Sequence, residues 1–297
     1  MFKLFRRRGR KESSVQAAPA GSQASTYEAV EIQGRRFLHN ASYVLPKDLK
    51  EVNRLDFQHY LLRQALRGNY LAPIGSNPTA ILDVGSGTGI WGKELAQQFP
   101  AARISNLDLE QAKTSGSMLP NSTFVQGNIL EGLKFADDTF DFVHQRLLIS
   151  AITVSRWPEV IRELRRVTRP GGYIELVECT FEGANLGPLT QEFFAWGIQV
   201  FQSRNIDPLI IPTLGQQMKE AGFQDVQERV LDLPLGSWGG RVGKLLQENQ
   251  YAVFQSMRAA YTRSGGERKF DTLLEQLPQE WEQYRSLFRF YIFFGKK

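Results

Sequence analysis

"ILDVGSGTGI", residues 81–90, decides the fold. A short apolar run stops at glycines 85, 87 and 89, and "WGKELAQQFP" (91–100) follows with the look of a helix. A strand that turns abruptly on glycines into a helix opens a βα unit. The turn's backbone N–H groups then lie at the carboxyl end of the strand, where open α/β sheets bind their ligands.

The rhythm repeats outward from this turn. "ARISNLDL" (102–109), "STFVQGNIL" (122–130), "FDFVHQRLL" (140–148) and "GYIELVEC" (172–179) read as successive strands, and "WPEVIRELRRVT" (157–168) as a helix stopped by "RPGG". Repeated βα units imply a parallel sheet covered by helices on both faces. Later, "LGQQMKEAGF" (214–223) reads as a helix, "QDVQERVLDLPL" (224–235) as a strand, and the β-former run "SLFRFYIFFGKK" (286–297) as the closing strand. Residues 181–212 and 236–286 break the rhythm and read as helical, aromatic inserts. Before the sheet, "PKDLKEVNRLDFQHYLLRQALR" (46–67) is a helix with Asp48 as cap and Gly68 as stop. Leu49, Val52, Leu55, Leu62 and Leu66, with His59 among them, are its expected apolar stripe.

Composition narrows the classes. Of 297 residues, 42% are apolar, enough for a sizeable core, and the single cysteine, Cys179, makes a reducing, cytoplasmic setting the default. No apolar run reaches the roughly 20 residues of a membrane span. The first 12 residues hold six of the 36 basic and one of the 31 acidic side chains, so the remainder is balanced. A neutral body gives no support for nucleic-acid binding. The basic tail is the part suited to anionic surfaces, and 1–26 as a whole reads as disordered tail and linker. The expected organisation is therefore tail (1–26), N-terminal helical cap (27–75) and main domain (76–297).

The turn also selects its ligand. A dinucleotide fold wants G-x-G-x-x-G, and Ile90 stands where the third glycine belongs. Asp83, at the end of the first strand, would repel a pyrophosphate by a few kcal/mol at an effective dielectric near 20. It would attract an ammonium group instead. S-adenosylmethionine carries an ammonium, a sulfonium and a carboxylate, and so fits better than NAD. Asp108, 25 residues on, suits ribose hydroxyls in either cofactor. The amide of Asn128 can both accept from and donate to an adenine edge, though it also suits a turn.

These motifs, together with "FVQGNILEGLKFADDTFDFVHQR" (124–146) and "LRRVTRPGGYIELVE" (164–178), resemble class I S-adenosylmethionine-dependent methyltransferases. "YVLPKDLKEVNRLDFQHYLL" (43–62) and "FYIFFGKK" (290–297) narrow the likeness to the LaeA-like or UMTA-type group, best known in fungi and tied to secondary metabolism. The resemblance implies a Rossmann-like seven-stranded α/β sheet whose last strand is antiparallel. It places Asp83, Gly85, Ser86, Gly87 and Gly89 at the methionine end, Asp108 and Leu109 at the ribose, and Asn128 and Ile129 at the adenine. Gln145 and Arg146 fall beside the methionine. The family usually has aspartate at the position of Asn128 and a tryptophan soon after, where this chain reads "NILEGLKF".

The 46–67 helix is expected to form a lid, with Arg54 meeting the cofactor carboxylate. Tyr43, His59 and Glu178 are the candidates to face an acceptor, and no catalytic residue is assigned. The three histidines show no ligand spacing, so no metal site is expected. Two functions stay open: methyl transfer to a small or medium apolar acceptor, and a LaeA-like regulatory role exercised through a protein partner. A nucleotide-dependent reductase is a distant third.

Overall fold

The computed structural model describes residues 28–32, 34–38, 45–112, 118–262 and 267–297. The expected tail and linker and the candidate Tyr43 lie outside them. The chain begins with an antiparallel hairpin, β1 (Ala29–Ile32) and β2 (Arg35–Leu38), which the sequence reading did not foresee. Helix α1 (Leu49–Leu66) follows, its first turn capped by the Asp48 carboxylate, which accepts from Glu51 N at 3.0 Å. The alternating region gives β3 (Ala80–Val84), α2 (Ile90–Gln98), β4 (Arg103–Asp108), β5 (Ser122–Gln126), β6 (Phe140–Arg146), α3 (Trp157–Val167) and β7 (Thr168–Ala184). After it come α4 (Pro188–Gln202), α5 (Leu214–Glu220), β8 (Gln224–Pro234), α6 (Gly240–Ser256), α7 (Arg258–Thr262), α8 (Glu267–Tyr284) and β9 (Leu287–Lys296).

Seven strands form one sheet in the order β5-β4-β3-β6-β7-β9-β8. The first five are parallel, and β9 runs antiparallel to both β7 and β8. The expected fold class is borne out. Strands covered on both faces must be apolar throughout, and Ile81, Leu82 and Val84 of β3 are fully buried. One face packs Leu82, Val143 and Ile174 with the helices of the second half of the chain. The other packs Ile81 and Phe142 against Trp91 and Leu95 of α2. The aromatics of the two inserts serve this core: Phe193 of α4 and Phe254 of α6 pack with tilted rings, centroids 4.3 Å apart.

Two local expectations are corrected. The apolar stripe of α1 faces inward only in part: His59 and Leu62 are buried, Leu66 packs against the core and Leu55 lines the cavity, but Leu49 is 69% exposed, and Glu51, Arg54 and Gln58 are buried beside Leu61. The reason is the surface α1 meets. Along α6 and α2 that surface is polar, so Arg54 pairs with Glu51 at 2.6 Å and donates to Asn249 of α6 at 3.1 Å. Second, β7 continues past Cys179 to Ala184, so the first insert begins as strand and becomes helix only at Pro188. Among the described residues no helix is long and apolar enough to cross a membrane.

Candidate functional site

A cavity of about 430 Å³, within the usual range for small-molecule sites, opens at the carboxyl ends of the parallel strands. Five segments wall it: Asp83–Thr88 after β3, Leu107–Leu109 after β4, Gly127–Glu131 after β5, Arg146–Ala151 after β6, and Cys179–Phe181 of β7. Arg54, Leu55 and Gln58 of α1, with Gln250, Val253 and Phe254 of α6 and its C-cap Met257, close the far side.

The glycine turn is built by backbone geometry. Gly85 and Ser86 N–H donate to Leu107 O at 2.8 and 2.9 Å, which binds the turn to β4. Gly85 and Gly87 have φ of +71° and +56°, a region side chains avoid, and a Cβ on Gly85 would fall 2.5 Å from Leu148 Cδ2. Gly89, also at positive φ, caps α2 and is not part of the cavity wall.

Asp108, expected at the ribose, lines the cavity at the end of β4 and has two partners. Its Oδ2 accepts from Gly87 N at 2.8 Å and its Oδ1 from Lys47 Nζ at 2.7 Å. Leu109 and Ile129 line the same wall. Asn128 lines it too, but its amide is already engaged: Oδ1 accepts from Leu130 N and Nδ2 donates to Glu131 Oε1, both at 3.0 Å. The turn role weighed for Asn128 is therefore the one its side chain performs here.

Asp83 is 3% exposed, lines the cavity, and has Oδ1 3.0 Å from His144 Nδ1. His144 stacks on Trp91 with centroids 4.0 Å apart and planes 5° apart. Burial holds the imidazole below its ordinary pKa despite the neighbouring Asp83. A neutral His144 donating Nδ1–H fixes the direction of the Asp83 side chain. Arg146 also faces the cavity, and burial lowers its pKa against the opposing pull of Asp83, Glu94 and Glu175.

Three more expected site residues stand outside the wall, and a fourth, Arg54, already has partners. Gln145 is fully buried outside the wall, its amide 3.5 Å from Glu178. Glu178 is fully buried as well, and its carboxylate accepts from Leu148 N at 3.0 Å and Ile149 N at 3.1 Å. It holds the cavity-lining loop rather than facing an acceptor, and burial raises its pKa to about 8. His59 is fully buried between α1 and α2, with Nε2 3.3 Å from Glu94 and Nδ1 3.4 Å from Arg146. Burial, helped by Arg146, pushes its pKa down to about 4. Arg54 does line the cavity, but Glu51 and Asn249 already satisfy its guanidinium, so a cofactor carboxylate is not needed to explain its burial.

Residues the sequence reading missed come from elements distant in the chain. Lys47 precedes α1, and Gln250, Val253 and Phe254 of α6 and its C-cap Met257 share one face at helical spacing. That spacing is legible, but nothing local says which surface the face meets. Among the described residues no group of three His, Cys, Asp or Glu is placed to hold a metal.

A family model described as a methyltransferase domain matches residues 56–228, more than half of the chain. The chain belongs to this family. The methyltransferase pytC of Aspergillus terreus is 34% identical over 220 residues, covering 69% of this chain and 65% of pytC, so the match spans a little under two thirds of that relative. The secondary metabolism regulator LAE1 of Cochliobolus heterostrophus is 30% identical over 236 residues, covering 74% of each chain. Among solved structures, the cyclopropane synthase MmaA2 of Mycobacterium tuberculosis aligns over 84% of this chain and 86% of its own, with a TM-score of 0.50 at 14% identity. That likeness speaks to the fold of the methyltransferase domain alone. The family read from the motifs is thereby borne out.

Proposed function

We propose that this methyltransferase-family chain binds S-adenosylmethionine in the strand-end cavity and transfers its methyl group to a small or medium, largely apolar acceptor. The observation that carries the reading is that two adjacent parallel strands, β3 and β4, deliver the glycine turn, Asp83 and Asp108 to one cavity wall. The residues fit the cofactor chemically. Asp83 offers an acidic partner to an ammonium. Asp108 spends one bond on each carboxylate oxygen, and a carboxylate has about four acceptor positions, which leaves room for ribose hydroxyls. Leu109 and Ile129 supply apolar surface for a base.

When bound, the cofactor supplies a methyl group on a cationic sulfonium, and the chain contributes position and exclusion of water. The acceptor half of the cavity is lined by Leu148, Phe181, Phe201, Phe254, Met257 and Phe288, with Gln250 and Thr180 as polar groups. Its thiol, Cys179, has burial pushing its pKa up to about 12, too high to serve as a thiolate base near neutrality. No catalytic base is assigned, and none is needed for an acceptor whose nucleophile is already unprotonated or carries its own acidity. Calorimetric titration with S-adenosylhomocysteine and NADH tests the cofactor assignment. Micromolar S-adenosylhomocysteine binding without an NADH signal is the expected result, and the reverse overturns it. Transfer of label from methyl-labelled cofactor to a panel of apolar acceptors tests turnover.

The 30% identity with LAE1 favours a second reading, a regulatory protein that keeps the cofactor site and acts through a protein partner. Methyl transfer to that partner, with no small-molecule product across the panel, would favour it.

A further inference from the structure

The α1–α6 pair that closes the cavity has a second, outward side. There a groove separate from the cavity is lined by Phe57, Tyr60, Arg63 and Arg67 of the α1 segment and by Arg241 and Leu245 of α6. We propose that this groove docks an acidic segment of a partner protein. The inference goes beyond the methyl-transfer reading and does not depend on it.

Charge is the first argument. Three arginines line the groove and no acidic side chain does, on a body whose charges otherwise balance. Glu94 takes one of them, Arg63, at 2.9 Å. Among the described residues Arg67 and Arg241 enter no ion pair and are exposed. Arg241 stands in the first turn of α6, at the positive end of the helix, and that turn has no acidic residue to offset it. An anion seated here would relieve a local excess of positive charge.

The apolar component is the second argument. Tyr60 is 51% exposed beside half-buried Phe57 and Leu245. Guanidinium groups beside exposed rings offer carboxylates bidentate partners and give a neighbouring apolar side chain a surface to cover. The chain's own N-terminal tail has the wrong sign to occupy such a groove, since six of its first 12 residues are basic.

The test uses the full chain and a fluorescein-labelled 12-residue peptide of glutamates flanking a central leucine and tryptophan. Saturable binding is expected, weakened at least tenfold by R67E/R241E. The melting temperature and far-ultraviolet circular dichroism of the variant should match those of the unaltered chain, showing that it is folded. The basic tail is present in both proteins, so any binding to it cancels in the comparison. Equal peptide binding by the two proteins, or none by either, overturns the proposal. Tighter groove-dependent binding of a single-stranded RNA 12-mer than of the peptide would assign the groove to nucleic acid and overturn it as well.

Discussion

Asp108 illustrates how one side chain can brace a turn and still face a cavity. It fastens the glycine turn through Gly87 N, pins Lys47, and still faces the cavity. Asp108→Ala should weaken S-adenosylhomocysteine binding by roughly 1.5–3 kcal/mol, the scale of hydrogen bonds to a charged group. An unchanged calorimetric dissociation constant in a folded variant would remove Asp108 from the ribose site. Gly85→Ala should be worse than its size suggests. It places a Cβ 2.5 Å from Leu148 Cδ2 and also forces an L-residue to φ +71°, at roughly 1–2 kcal/mol. Adding Leu148→Ala relieves the clash but not the backbone, so the double variant should recover cofactor affinity only in part. Full recovery would show that contact alone makes glycine necessary. For Glu178 the folded pKa, about 8, is raised above that of an ordinary glutamate, so between those values the folded state holds the extra proton. Its contribution is complete at low pH and lost as pH rises through about 8. Glu175, raised to about 7 by burial, adds to the same slope. Thermal unfolding from pH 5 to 9 should show the decline, and Glu178→Gln should flatten its upper part. An identical profile would mean that Glu178 does not titrate in this window.

At the scale of elements, α1 tests the lid expected from the sequence. Leu55 and Gln58 line the cavity, and Leu55 Cδ1 would lie 3.4 Å from a Cβ on Gly87, so the helix stands over the glycine turn. Slower amide exchange across residues 45–66 on S-adenosylhomocysteine binding is the expected outcome. Protection confined to residues 83–90, 108 and 128 would make the helix a fixed wall. The same element shows where sequence reading stopped. The βα units were legible because parallel strands must be apolar and glycines must punctuate them. That Asp83 and Asp108 would line one cavity was legible because open α/β sheets form their crevice at the carboxyl ends of the strands. That Glu51, Arg54 and Gln58 of α1 would be buried too was not legible, because Arg54 is satisfied partly by Asn249 of α6, a residue far away in the chain. Glu178 misled for a similar reason: a strand-end carboxylate looks the same in sequence whether it meets a ligand or two backbone N–H groups of the next loop.

Across the whole molecule, the N-terminal hairpin is tied to the cavity side of the sheet. Arg36 makes a bidentate pair with Glu110 at 2.7 and 3.0 Å and donates to Lys47 O, and Arg35 pairs with Asp48. A chain starting near Tyr27 should keep the melting temperature and cofactor affinity of the full protein, because residues 1–26 lack core-forming composition. A chain starting at Leu45 should lose cofactor affinity, because the hairpin that anchors the Lys47 segment is gone. Equal behaviour of the two truncations would make the hairpin dispensable. The sheet order has a different consequence, one for synthesis. Strand β8 touches the sheet only through β9, and β9 leaves the ribosome after residues 235–286 have been made. At about 5–20 residues per second, the nascent chain spends seconds with β7 lacking its β9 neighbour and β8 with nothing to pair to. In that interval the apolar edge of β7 is open to other chains in the cell. Yield during expression should therefore depend on elongation rate and chaperone supply through this stretch, even for variants whose finished fold is unchanged.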